Sequence, residues 1–124
     1  MTTVLNPTSS PTVIYNTEGR NIQFITVNPD DGFIPIPYVS GETVCVVTVV
    51  GPLGSYTDGV MLPAGCAIGD TVEIYVTNIL SSGGPFLASM PAGEMTVYGY
   101  ETADTKQSRK FMKVSPTTWV GSIV

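Results

Sequence analysis

No helical period persists over eleven residues anywhere in the chain, and turn dipeptides recur every few residues. That restricts the fold more than any other feature. Apolar residues at i, i+3, i+4 and i+7 would argue for a helix, whereas short runs alternating at every second position argue for half-buried strands. The stretch Asp58–Thr77 shows the second pattern most clearly. Asp58-Gly59 is a hairpin-type dipeptide, Val60 to Leu62 is a short apolar run, and Pro63 ends it by removing a ladder donor. Ala64 to Asp70 turns again on two glycines. Thr71 to Thr77 then sets Val72, Ile74 and Val76 on one face and Thr71, Glu73 and Tyr75 on the other.

Nine such segments, separated by turn signals, predict an all-β fold, a small barrel or sandwich. Thr12–Asn16 is a short β-prone run. Ile22–Asn28 alternates well and is followed by the turn Pro29-Asp30-Asp31-Gly32. Thr43–Val50 is apolar at nearly every position, which predicts a strand covered on both faces, by the core on one side and another subunit on the other. Phe86–Met90, Met95–Tyr100, Arg109–Val114 and Thr117–Val124 complete the set, the last two split by Ser115-Pro116. Glu101–Ser108 reads as a loop. LPAG at 62–65 and MPAG at 90–93 read as one hairpin form used twice.

Two segments stand apart. Residues 1–11, with Pro7 and Pro11, carry no core pattern and read as an extended N-terminal arm ahead of a single β domain at 12–124. Its backbone donors and acceptors are free to add to a neighbour's sheet edge, which makes Val4 and Leu5 candidate partner contacts. Phe33–Tyr38 holds two prolines and so is an edge or loop rather than a central strand. Phe33, Ile34, Ile36 and Tyr38 are either a partner-binding surface or a lid folded back on the core.

With 124 residues there is one domain and one core. Charged residues are 12%, about half of the ~25% usual for soluble domains. So few charges on so small a domain leave a surface either dressed with small polar residues or covered by partners, and predict an oligomer. The net charge of −5 argues against nucleic acid and against an anionic membrane, both of which need a basic footprint. Four of the five basic residues fall between Lys106 and Lys113, where a solvated strand edge or an inter-subunit contact explains them. No window is apolar enough to span a membrane as a helix, and the N-terminus lacks a secretory signal pattern.

Nothing marks an enzyme. There is no histidine, hence neither the commonest general base nor the commonest transition-metal ligand. Asp30 and Asp31 lack the alternating acids of an oxygen-ligated metal loop. Asp58 and Asp70 flank glycines as turn residues do, and Asp70 with Glu73 shows no sign of a shared cleft. The chain offers no catalytic, cofactor-binding or metal position. Cys45 and Cys66 read as buried thiols, with a disulfide between them left open. The tyrosines at 15, 38, 56, 75, 98 and 100, with Trp119, read as strand packing ahead of a sugar-stacking platform.

The run VMLPAGCAIGDTVEIYV at 60–76, PAGEMTVYG at 91–99 and FMKVSPTTWVG at 111–121 together resemble small all-β structural proteins of tailed-bacteriophage virions, among them capsid decoration (cement) proteins and fibre modules. The likeness covers Val60 to Gly121 and lies in turns and strands, so it transfers no binding residue. It implies a virion protein on the capsid surface, a homotrimer whose partner is the major capsid protein and which stabilises the head, with the arm touching neighbouring subunits. The alternative it implies is a receptor- or glycan-binding module of a phage fibre or adhesin.

Overall fold

In a computed structural model of the chain, the described residues are 3–5, 13–17, 19–29, 31–53, 58–77, 86–98, 102–103 and 109–123, with side chains described in 19–29, 31–53, 58–77, 86–96 and 109–122. All their regular structure is strand. The elements are β1 (Thr3–Leu5), β2 (Val13–Thr17), β3 (Arg20–Val27), β4 (Phe33–Pro35), β5 (Glu42–Val49), β6 (Gly59–Met61), β7 (Thr71–Thr77), β8 (Phe86–Ser89), β9 (Met95–Tyr98), β10 (Thr102–Ala103), β11 (Arg109–Ser115) and β12 (Thr118–Ile123). The all-β expectation therefore stands for these residues.

They form two mixed sheets. One runs β1-β2-β3-β5-β7-β11-β12-β9 and the other β10-β8-β6-β4. From β3 to β8 the chain crosses between sheets at every step. β3, β5 and β7 lie side by side and parallel in the larger sheet, while β4, β6 and β8 do the same in the smaller. Parallel neighbours need a crossover, commonly a helix. Here the crossover is a strand of the opposite sheet, so the chain winds through stacked rungs. Among the described residues, strands consecutive in the chain pair antiparallel in β1-β2-β3 and in the β11-β12 hairpin at Pro116-Thr117, and β11 and β10 add antiparallel to β7 and β8.

This winding corrects two expectations. Asp58-Gly59 is not a hairpin turn, because Gly59 opens β6, which is parallel to both neighbours. Asp58 is buried, and its carboxylate accepts the Gly32 N–H at 3.0 Å. A Cβ at Gly59 would overlap the Leu87 carbonyl, so the glycine is required by close packing of the rungs rather than by turn geometry. Nor are LPAG and MPAG repeated hairpins. The ladder continues past the strands, with Ile36 N–H donating to Met61 C=O at 2.8 Å and Leu62 N–H to Ser89 C=O at 2.9 Å. Ile36-Pro37, Leu62-Pro63 and Met90-Pro91 thus occupy the same corner of successive rungs. Gly65 and Gly93 turn the chain there at φ 83° and 82°, a region that side chains rarely adopt.

The core lies between the sheets. Ile25, Val27, Cys45, Val47, Val49, Val72, Ile74, Phe111 and Trp119 face it from the larger sheet. Ile34, Val60, Leu62, Phe86 and Ala88 face it from the smaller. Register builds columns across the rungs, such as Gln23–Cys45–Ile74 and Ile34–Val60–Ala88. The buried polar side chains come in bonded groups. The Asn21 amide donates to Thr43 Oγ1 at 2.9 Å, and the Gln23 amide donates to Asn21 Oδ1 at 2.9 Å and to the Pro37 carbonyl at 3.0 Å.

Candidate interaction surface

The residues that alternate with the core positions make the outer face of the larger sheet. No described strand packs on it. One row reads Arg20–Glu42–Thr71–Met112–Val120, the next Ile22–Val44–Glu73–Lys110–Ser122, a third Phe24–Val46–Tyr75, and a fourth Thr26–Thr48–Thr77. Phe24 keeps 45% of its surface exposed and Met112 40%. The apolar run of β5 is explained by this placement. Cys45, Val47 and Val49 point into the core, while Val44, itself only 7% exposed, and the half-buried Val46 alternate onto the outer face.

Charge on this face is paired. Lys110 Nζ lies 3.6 Å from Glu73 Oε1, and Arg20 Nε lies 4.0 Å from Glu42 Oε1. The Tyr75 hydroxyl donates to Glu73 Oε2 at 2.6 Å, which raises the tyrosine's pKa above its ordinary value. Beside Lys110, an open hollow of about 290 Å³ is lined by Thr71, Lys110, Met112, Val120, Gly121 and Ser122.

The six sequence-derived partner positions do not share one surface. Val4 and Leu5 lie on β1, paired with Tyr15 and Ile14 at an edge of the larger sheet. Apart from β1, the 1–11 arm lies outside the described residues. β4 is an edge strand, in keeping with Pro35 within it and Pro37 just beyond. Ile34 and Ile36 are 8% and 2% exposed and sit in the chain's own core. Of the two readings, a partner surface or a segment folded back on the core, the burial of these two side chains favours the second, because Ile34 alternates with Phe33 and Pro35 along a strand whose inner face packs on the core. Phe33 is half-buried, and Tyr38 is exposed with its hydroxyl donating to Asp70 Oδ2 at 3.3 Å. Sequence reasoning missed Phe24 and Met112, and met Tyr75 only as a packing or sugar-stacking residue and Lys110 only within the basic cluster at 106–113. The apolar run at 43–50 was the available pointer, since it implied an outer face to be covered.

The acids hold structural partners. Asp31 Oδ2 accepts the Asn28 N–H and side-chain amide, and Asp70 Oδ2 accepts the Ala67 N–H at 2.9 Å. Glu94 Oε1 accepts from Lys113 Nζ at 2.6 Å and from Trp119 Nε1 at 2.8 Å, while Lys113 sits 5.5 Å from the Trp119 ring centre. Cys45 and Cys66 are both free thiols. Burial pushes Cys66 up to about 11, with Asp70 adding to the rise. Among the described residues, no three His, Cys, Asp or Glu side chains group as metal ligands. Comparison with protein-family models, with curated proteins and with solved structures finds no match for this chain.

Proposed function

We propose that this chain is a structural protein of a tailed-phage virion, a capsid decoration or cement protein that binds the outer capsid lattice as an oligomer and stabilises the head. The observation that carries the reading is the outer face of the larger sheet, where Phe24 and Met112 stay exposed among paired charges on a domain with few charges to solvate it. A protein of this kind works by contact rather than by making or breaking bonds. Weak contacts repeated around a lattice add to a strong grip, because each bound arm or face raises the effective concentration of the next. The resemblance in turns and strands supplies the major capsid protein as partner and the capsid surface as location.

One feature favours a second reading, a glycan-binding module. Phe24, Val46 and Tyr75 form a row with Glu73 beside it, and aromatic faces next to a carboxylate suit a sugar. A single experiment separates the two. Purified protein is mixed with undecorated phage heads and, in parallel, with host cell envelopes. Decoration predicts saturable co-sedimentation with heads and a higher temperature of head rupture. Binding to envelopes alone would favour the glycan module and contradict the capsid reading.

A further inference from the structure

Lys113, Glu94 and Trp119 bring an amine, a carboxyl group and a hydrogen-bond donor together at one oxygen atom. We infer that Lys113 and Glu94 condense into an amide, a covalent cross-link within the domain between Lys113 Nζ and the Glu94 carboxyl carbon. The ion pair described above is its reactant. The cross-link does not depend on what the outer face of the larger sheet binds.

Three neighbouring elements build the site. Lys113 lies on β11, directly opposite Trp119 on β12. Glu94 immediately precedes β9, which pairs with β12 on its other side, and Met95 N–H fixes that turn by donating to Thr117 C=O at 2.9 Å. The Lys113 backbone is held from the opposite side, with Gly69 N–H donating to its carbonyl at 2.8 Å and its own N–H donating to Asp70 C=O at 3.0 Å. Lys113 therefore reaches across β12 from a fixed base. Its Nζ meets Glu94 Oε1 at 2.6 Å, and Trp119 Nε1 donates to the same oxygen at 2.8 Å. The Lys113 and Glu94 side chains keep only 4% and 12% of their surface, and the Trp119 ring walls the amine at 5.5 Å. A surface ion pair parts and rejoins freely. Here the amine is held one bond away from the carboxyl carbon, and well-oriented groups within one molecule react with effective concentrations of ~10⁵–10⁸ M.

The step balances without an oxidant or a co-reactant. One proton passes from the Lys113 ammonium to Glu94 Oε2, which leaves an amine and a carboxylic acid. The Nζ lone pair then forms the N–C bond, and the C=O electrons move onto Oε1. The Trp119 N–H already points at that oxygen, so it stabilises the charge that develops there. A second proton moves from Nζ to Oε2, the C–Oε2 bond breaks and water leaves. Oε1 becomes the amide carbonyl oxygen, and one hydrogen stays on nitrogen. A site that excludes water also protects the product from hydrolysis. The bond ties β11 to the turn before β9 over the top of β12, so it closes the chain between residues 94 and 113 and locks the C-terminal hairpin into the sheet.

The test is the intact mass of the purified full chain, followed over days at growth temperature. The wild type is expected to become lighter than its sequence by one water. After denaturation, trypsin is expected to leave residues 111–124 uncut at Lys113 and joined to the fragment that carries Glu94. The digest is needed because succinimide closure at an Asp-Gly pair also releases water, but it joins no two fragments. Lys113→Arg keeps the cation and its ion pair, and a guanidinium does not attack a carboxyl group. That variant is expected to fold and to keep its full mass. Trp119→Phe keeps a ring without the N–H and is expected to form the cross-link at least tenfold more slowly, with circular dichroism confirming that both variants fold. A wild type that stays at full mass, a loss of water that persists in Lys113→Arg, or fragments that separate after trypsin would each overturn the cross-link. An unchanged rate in Trp119→Phe would overturn the part assigned to the indole.

Discussion

Glu94 holds two buried donors at once, and that makes it the most consequential acid among the described residues. Its carboxylate accepts from Lys113 and from the Trp119 indole, both of which have almost no surface. Removing one partner of a buried pair strands the other charge, which costs about 3–5 kcal/mol. Glu94→Ala is therefore expected to lower unfolding stability by about 3 kcal/mol in urea. A change below about 0.5 kcal/mol would show that Lys113 finds water or another acceptor. Trp119→Ala removes the largest buried side chain and is expected to cost about 3–5 kcal/mol. The Cys66 thiol sets a pH signature. Its folded pKa, about 11, lies above its ordinary 9.0, so the folded state keeps a proton that the unfolded chain releases. Its contribution to stability is full below about pH 9 and is lost as pH rises toward 11. Cys66→Ser is expected to flatten that decline in a pH series of denaturant melts. An unchanged decline would assign it to other groups.

At the scale of elements, the stacked corners make sharp demands. Gly59→Ala forces a Cβ into the Leu87 carbonyl and is expected to cost about 2–3 kcal/mol, since neighbouring backbone cannot yield cheaply. Leu62→Met copies the residue found at the same corner one rung on, and is expected to cost less than about 1.5 kcal/mol. Denaturant melts of the two variants compare them directly, and equal losses would contradict the equivalence of the corners. Individual strands were legible in the sequence. Thr71–Thr77 alternates strictly and forms β7 over those same residues, and the prolines of Phe33–Tyr38 marked an edge. Strand direction was not legible, because a period of two looks the same in parallel and antiparallel ladders. The rungs also hid their repeat. Arg20, Glu42 and Thr71 are equivalent on one sheet, and Phe33, Gly59 and Leu87 on the other, so the spacing is uneven and no fixed period appears. The candidate face was half legible. Val44 and Val46 could be read from the run at 43–50, but Lys110 and Met112 join them only through pairing with β7.

For the whole molecule, binding to a lattice assigns the arm and the sheet face separate tasks. β1 already pairs with β2 through Thr3–Leu5, which places those three residues at a sheet edge that a neighbouring protein's strand can continue. Deleting residues 1–11 is expected to leave self-association intact and to weaken binding to undecorated heads about tenfold, equivalent to ~1.4 kcal/mol. Undiminished decoration by the shortened chain would show that the arm makes no capsid contact. The claim that the protein is a capsid cement is tested most directly by cryo-electron microscopy of undecorated phage heads after incubation with the purified chain. The account predicts added density at fixed positions on the outer lattice, filled by the two-sheet domain and saturating with concentration. Heads whose surface is unchanged at saturating protein would contradict it.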